Sequence, residues 1–135
     1  MPFTYDRTIH FADTDAAGVV FFANYLAICH EAYEEALAAA GLDVTAIFAA
    51  NAIVIPIARS SAEYLRPLRA GDKVRVTVRP EPAGDDSFVI NYELTRLGPI
   101  AKLAARVRTE HVSTSPQLRS RVSLPPALAA WVRQG

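Results

Sequence analysis

Little in this chain suits it to cross-linking, metal binding or membrane insertion. One cysteine, Cys29, stands in 135 residues, so no disulfide forms within the chain and a reducing compartment is expected. Its place inside a helical pattern predicts a small apolar filler rather than a reactive thiol. Net charge is zero, with 14 basic and 14 acidic residues. That balance lacks the one-sided basic face that binds nucleic acid or an anionic membrane. No apolar run reaches the roughly 18 residues that a membrane span requires. Asp6, Arg7 and His10 interrupt any apolar stretch near the start, which argues against a signal peptide. The final Arg133-Gln134-Gly135 is no familiar targeting address. The expectation is a cytoplasmic protein with no nucleic-acid or membrane partner.

Catalytic signatures are equally sparse. His10, His30 and His111 are scattered, and no His-x-x-x-His pair or Cys/His cluster exists. No metal site and no cofactor are expected. There is no Gly-x-Ser-x-Gly elbow and no strong phosphate loop. Any hydrolytic chemistry therefore falls to a carboxylate. Twelve of the 14 basic residues are Arg, which suits phosphate or carboxylate recognition, although genomic base composition is the simpler account.

What is present is one domain's worth of chain, 51% hydrophobic and without repeat or linker. Phe3 to Phe11 alternates as a strand, with Phe3, Tyr5, Arg7, Ile9 and Phe11 on one side. Phe21 to Ala40 follows a helical period, with Tyr25, Ile28, Cys29, Ala32, Ala36, Leu37 and Ala40 on one stripe. Gly41 stops it. Glu31, Glu34 and Glu35 lie mostly off the stripe, as a wet face. Val44 to Ala50 suits a short helix capped by Asp43. Four strand-like runs follow, at about 53–64, 72–80, 87–97 and 100–114, separated by Gly71-Asp72, Gly84-Asp85-Asp86 and Gly98-Pro99. The tail from about residue 115 is weakly periodic, and Trp131 is available to pin it. The pattern predicts an α+β domain over 1–135: a five-stranded antiparallel sheet with one long helix on a single face. The outward strand residues are not all polar, so pairing with another copy is expected.

The most informative segment is Phe11-Ala12-Asp13-Thr14-Asp15-Ala16-Ala17-Gly18-Val19-Val20-Phe21-Phe22-Ala23-Asn24-Tyr25. Asp15 precedes the long helix, where free N–H groups and a partial positive charge gather. Such a place keeps a carboxylate ionised and binds a developing oxyanion. The plain alternative for Asp15 is a helix cap. Asp13 and Asp15, two apart, point oppositely on an extended backbone and do not form a proton-sharing pair; Asp13 or Thr14 suits a cap. Gly18 permits close approach by a ligand. Val19, Val20, Phe21, Phe22 and Tyr25 suit the wall of an aromatic pocket, or plain core. Arg59-Ser60-Ser61 offers hydrogen-bond donors from a strand, or is ordinary strand.

These residues resemble the hotdog-fold thioesterases of the 4-hydroxybenzoyl-CoA type. The resemblance rests on the Asp-x-Asp-x-x-Gly-Val-Val-Phe-Phe-x-x-Tyr run from Asp13 to Tyr25. It is greatest toward those of cyanobacteria acting on 1,4-dihydroxy-2-naphthoyl-CoA. There it extends to Phe3-Thr4-Tyr5, Cys29-His30-Glu31-Ala32-Tyr33-Glu34, Pro56 followed by Ser61, Gly71-Asp72 and His111-Val112. The resemblance implies a sheet wrapped around the long helix and hydrolysis of an acyl-CoA substrate in phylloquinone or menaquinone synthesis. It implies Asp15 as the catalytic carboxylate, acting as nucleophile or general base, and the Phe22 backbone N–H as oxyanion donor. Gly18, Val19, Tyr25, Arg59, Ser60 and Ser61 fall to substrate binding. A homo-oligomer, a dimer of dimers, completes each site. A hydrolase for another aryl- or fatty acyl-CoA, or a module that binds acyl thioesters without cleaving them, are the alternatives. Two departures stand out. The turn Gly84-Asp85-Asp86-Ser87 is acidic where bacterial aryl-CoA relatives carry a basic cluster, so phosphate contacts come from elsewhere, such as Arg59, Arg66 or Arg69, or are weak. Phe22 stands where broader acyl-CoA thioesterases often carry His.

Overall fold

The computed structural model describes residues 2–134. Its centre is β3 (Lys73–Gly84), β4 (Ser87–Arg96) and β5 (Lys102–Val112), flanked by β1 (Phe3–Thr8) and β2 (Ile57–Tyr64). The sheet is antiparallel throughout, in the order β1-β3-β4-β5-β2. Period-two alternation decides which face is buried. Val74, Val76 and Val78 of β3 face inward, opposite Leu94 and Tyr92 of β4. Leu94 and Tyr92 oppose Ala105 and Val107 of β5 in turn. These six side chains other than Val107 are at most 2% exposed.

Helix α1 (Asn24–Ala39) lies across that inner face and contacts β1, β3 and β5. Its buried stripe is Tyr25, Ile28, Cys29, Ala32, Tyr33, Ala36 and Leu37. Small residues at Cys29, Ala32 and Ala36 let the backbone approach the sheet. Cys29 is fully buried, and burial pushes its thiol pKa up, as an inert filler requires. Gly41, at φ +77°, reverses the chain: its N–H donates to Ala38 O and that of Leu42 to Leu37 O. Those two bonds form a Schellman ending. Helix α2 (Val44–Asn51) is capped by Asp43 Oδ1, which accepts from Ala46 N–H at 3.2 Å.

Several boundaries differ from the sequence pattern, each for a physical reason. The first strand ends at Thr8 and not Phe11, because Ile9 turns inward and exchanges backbone bonds with Gly71 and Asp72. Phe11, in a single 3-10 turn Phe11–Asp13, is 85% exposed rather than on the inner side. The second strand begins at Ile57, after Pro56, with only an isolated bridge from Val54 to Thr114 before it. The tail is more ordered than its periodicity suggested. A two-stranded ribbon of β6 (Thr114–Ser115) and β7 (Ser120–Arg121) leads to α3 (Pro126–Gln134), which packs on β3. Pro126 opens that helix, at the one position where a missing N–H costs nothing. Leu128 and Val132 are buried beneath it. Trp131 does pin the tail, its ring 6.0 Å from that of Tyr33 and 6.2 Å from that of Phe88.

The outward sheet face is also not as expected. Thr4, Thr77, Glu93, Arg106 and Glu63 form one row across all five strands. Arg79–Glu93 and Arg75–Asp6 ion pairs, both at 2.8 Å, cover it further. That face is polar apart from Val89 and Val112, both at most 9% exposed, so it presents little open apolar surface for association. The large exposed apolar groups lie elsewhere: Phe11, Ile100 and Leu118 singly, and Phe21, Phe22, Val54, Ile57, Tyr64 and Leu65.

His111 sits under the tail, 1% exposed, its ring stacked on Phe88 at 4.6 Å. Its Nε2 pairs with Thr109 Oγ1 at 2.8 Å, and Nδ1 has no partner. Burial, with a smaller push from His30, lowers its pKa from 6.5 to about 4. A base whose folded pKa is depressed binds its proton more readily when unfolded. Its stability contribution is therefore full above pH 6.5 and lost as the pH falls toward 4. Thermal melts across this range should lose on the order of 2–3 kcal/mol, and His111→Phe should flatten the slope. An unchanged slope in that variant would assign the pH dependence to other groups.

Candidate active site

The segment between β1 and α1 is held by backbone geometry rather than by the helix. Thr14 and Val20 form an antiparallel bridge. Inside it, Asp15 N–H donates to Val19 O and Gly18 N–H to Asp15 O, both at 2.9 Å. Gly18 takes φ +81°, the left-handed residue that follows the turn in a tight hairpin. Asp15 Oδ1 accepts from Ala17 N–H at 2.8 Å, an Asx turn. Asp15 is thus not a helix cap. The long helix starts at Asn24, not Phe21, because the bridge to Thr14 keeps Val20 in extended geometry, with Val20 N–H on Leu68 O at 2.8 Å and Phe21 N–H on Asp13 O at 3.0 Å.

Beneath this hairpin lies a charged anchor. Arg7, 14% exposed at its side chain, grips Asp13 through Nη1 at 2.8 Å and Nη2 at 3.2 Å. Its Nε donates to Glu31 Oε2 at 2.8 Å, and Tyr5 OH donates to the same oxygen at 2.7 Å. The Arg7 bonds, helped by His10 N–H against the opposing effect of burial, hold the Asp13 carboxyl below the usual carboxylate range. The bond to Glu31 and burial push Tyr5 up to about 12. Glu31 is therefore a structural anchor of α1, not merely wet face.

Above the hairpin a cleft of about 380 Å³ opens. Asp15, Val19, Val20, Phe21, Phe22 and Tyr25 line one side; Tyr64, Leu65, Arg66 and Pro67 line the other. The Asp15 carboxylate is exposed at it. Phe22 is 62% exposed, while Val20 is core at 4%. Among the described residues the Phe22 N–H has no hydrogen-bond acceptor, and its carbonyl accepts from Tyr64 OH at 3.1 Å. Tyr64 meets Tyr25 edge-on at 4.9 Å. The cleft thus joins an exposed carboxylate, an unbonded amide near a helix start and aromatic walls.

Of the residues singled out in the sequence, Asp15, Val19, Phe22 and Tyr25 come together here. Gly18 serves by its conformation; a side chain there would meet nothing within 4 Å. Arg66 lines the cleft, while Arg59, Arg69, Ser60 and Ser61 do not. Arg59, Ser60 and Ser61 lie exposed on β2, an edge strand hydrogen-bonded only to β5. Tyr64, Leu65 and Pro67 were not foreseen. Their place depends on where β2 ends relative to the hairpin, a long-range fact without a local pattern.

Comparison with known proteins bears on the family and the fold. The pattern of the thioesterase-like superfamily matches residues 9–132. A 1,4-dihydroxy-2-naphthoyl-CoA hydrolase of Crocosphaera subtropica is 43% identical over 130 residues, covering 96% of this chain and 95% of that protein. One from Trichodesmium erythraeum is 43% identical over 132 residues, covering 98% and 96%. The crystal structure of a 1,4-dihydroxy-2-naphthoyl-CoA thioesterase from Synechocystis superposes with a TM-score of 0.91 at 32% identity, covering 98% and 96%. The sheet wrapped around α1 is the hotdog fold.

Since only the backbone demands glycine at position 18, Gly18→Ala should cost about 1–2 kcal/mol. Gly18→Asn should cost less, because Asn tolerates the left-handed region better. Urea unfolding of both variants measures this. Equal losses would mean that something other than backbone conformation governs the position.

Proposed function

The chain belongs to the thioesterase-like superfamily, and we propose that it hydrolyses 1,4-dihydroxy-2-naphthoyl-CoA to 1,4-dihydroxy-2-naphthoate and coenzyme A, in phylloquinone or menaquinone synthesis. The observation that carries this reading is an exposed carboxylate beside an unbonded amide in an aromatic-walled cleft, in a chain whose near-full-length relatives bear that activity's name.

The arrangement suits either attack by Asp15 itself or activation of water by Asp15, and we propose attack. Asp15 attacks the thioester carbonyl, and charge develops on its oxygen. The Phe22 N–H and the positive end of α1 stabilise that oxyanion. The C–S bond breaks, the thiolate of coenzyme A leaves and takes a proton from solvent, and water cleaves the resulting anhydride to restore Asp15. The Ala17 N–H on Oδ1 orients the carboxylate and leaves Oδ2 without a protein donor among the described residues. Phe21, Phe22 and Tyr64 offer flat apolar surface to a two-ring acyl group, with Tyr25, 3% exposed, packed behind Tyr64. Arg66 is the cation in the cleft for a phosphate, although its Nη1 also donates to Leu103 O.

Arg59, Ser60 and Ser61 reach substrate in this reading only from a second copy. The free edge of β2 offers unpaired backbone groups for such a pairing, next to exposed Ile57, Tyr64 and Leu65. A homo-oligomer, a dimer of dimers, then completes each cleft. Sedimentation should show an assembly at assay concentrations; a fully active monomer would refute the shared site.

Asp15→Asn should retain the fold by circular dichroism and lose at least about 100-fold in turnover. Near-normal turnover in that variant removes Asp15 from the mechanism. Thiol release from naphthoyl-, benzoyl- and fatty acyl-CoA thioesters tests the substrate, the naphthoyl ester being expected to give the highest kcat/KM. A single turnover in heavy-oxygen water tests the step. Label in Asp15 marks direct attack; its absence, with no acyl–enzyme on rapid quenching, assigns Asp15 to activating water.

A further inference from the structure

We propose that Asp13 and Asn24 are positioning residues that set the separation between the Asp15 carboxylate and the Phe22 N–H. The inference rests on the hydrolase reading above. Both reacting groups hang from Asp13. Its carboxylate is fixed by Arg7 and by His10 N–H at 2.8 Å. Its carbonyl accepts from Phe21 N–H at 3.0 Å and from Asn24 Nδ2 at 2.9 Å. Asp15 lies two residues after this anchor, and Phe22 directly follows the residue whose N–H the anchor holds. Asn24 is the first residue of α1, so its amide ties the start of the helix to the same carbonyl. A short hairpin is marginal by itself; this one is clamped at its base from three directions.

The assignment separates positioning from packing. Asn24 is half-buried and outside the apolar core cluster. Ala is a better helix former than Asn, so Asn24→Ala offsets part of the lost bond and should melt within about 5 °C of the parent. Its side chain makes no hydrogen bond to Asp15 and is not part of the cleft lining. A displaced catalytic group nevertheless costs rate steeply, about 10²-fold for 1 Å.

The test is steady-state hydrolysis of 1,4-dihydroxy-2-naphthoyl-CoA by the full chain, well below its melting temperature, with folding checked by circular dichroism. In Asn24→Ala, kcat should fall about 10- to 100-fold while KM stays within about twofold. Arg7→Lys keeps the charge under Asp13 but loses the two-pronged grip, and kcat should fall by a smaller factor, again at constant KM. A purely structural role lowers the melting temperature and leaves kcat of the folded enzyme alone. Wild-type kcat in Asn24→Ala, or a rise in KM at constant kcat, overturns the proposal. Should Asn24→Ala not fold, Arg7→Lys decides by the same criterion. Asp15→Asn, assayed alongside, keeps the two readings apart: if it turns over normally the hydrolase mechanism has failed, whatever Asn24→Ala does.

Discussion

The guanidinium of Arg7 holds two carboxylates from separate parts of the chain, Asp13 in the 3-10 turn and Glu31 in α1. An Arg with this little exposure needs its charge matched and its donors used. Two acids and a planar fork achieve that. Because β1 carries the Arg, the bond network fastens the hairpin and the helix to one edge of the sheet. The cleft then exists because β2 arrives at the hairpin with Tyr64, whose hydroxyl reaches Phe22 O. Without the Arg7 anchor the hairpin would be joined to the domain mainly through Val20 and Leu68.

The apolar run from Val19 to Phe22 divides its labour accordingly. Val20 is core, while Phe21 and Phe22 are 42% and 62% exposed. A plain core account of the run would bury all four. Two adjacent exposed Phe and the half-exposed Tyr64 and Leu65 line one cleft with Asp15, and clustered exposed apolar groups mark ligand grooves or partner surfaces. The polar outward face of the sheet needs no such cover. The physical argument for a partner copy therefore moves from the sheet face to the β2 edge and the cleft rim.

Much of this was legible in the sequence where the determinants are local. Val74, Val76 and Val78 alternate, so β3 was readable. Gly41 and Asp43 carry stop and start chemistry within their own turns. Asp15 and Phe22 stand out in the run from Asp13 to Tyr25 that carries the family resemblance. What was not legible depended on distant partners. The start of α1 was read at Phe21 because Val19 to Ala23 fits a helical period as well as a hairpin. The pairing of Val20 with Thr14, together with the bond from Val20 N–H to Leu68 O, holds the run as a hairpin instead. Helix α3 is hidden by the prolines around its start, Pro125 and Pro126, although Leu128, Trp131 and Val132 stand at helical spacing within it. Glu31 looked like solvent-facing helix until Arg7 and Tyr5 were found on it.

The acidic turn after β3 shows how a departure from a family pattern can be a structural choice. Asp85 O accepts from Leu124 N–H at 2.9 Å, and Asp86 O from Ser113 N–H at 2.8 Å. The Asp86 carboxylate lies 3.9 Å from Arg121 Nη1. The turn thereby docks the tail that leads into α3, and α3 in turn covers β3 with Leu128 and Val132. A basic cluster here would face Arg121 and weaken that docking by like-charge repulsion. The acidic turn thus serves a covered sheet end, and the Arg that lines the cleft with Asp15 is Arg66, just after β2.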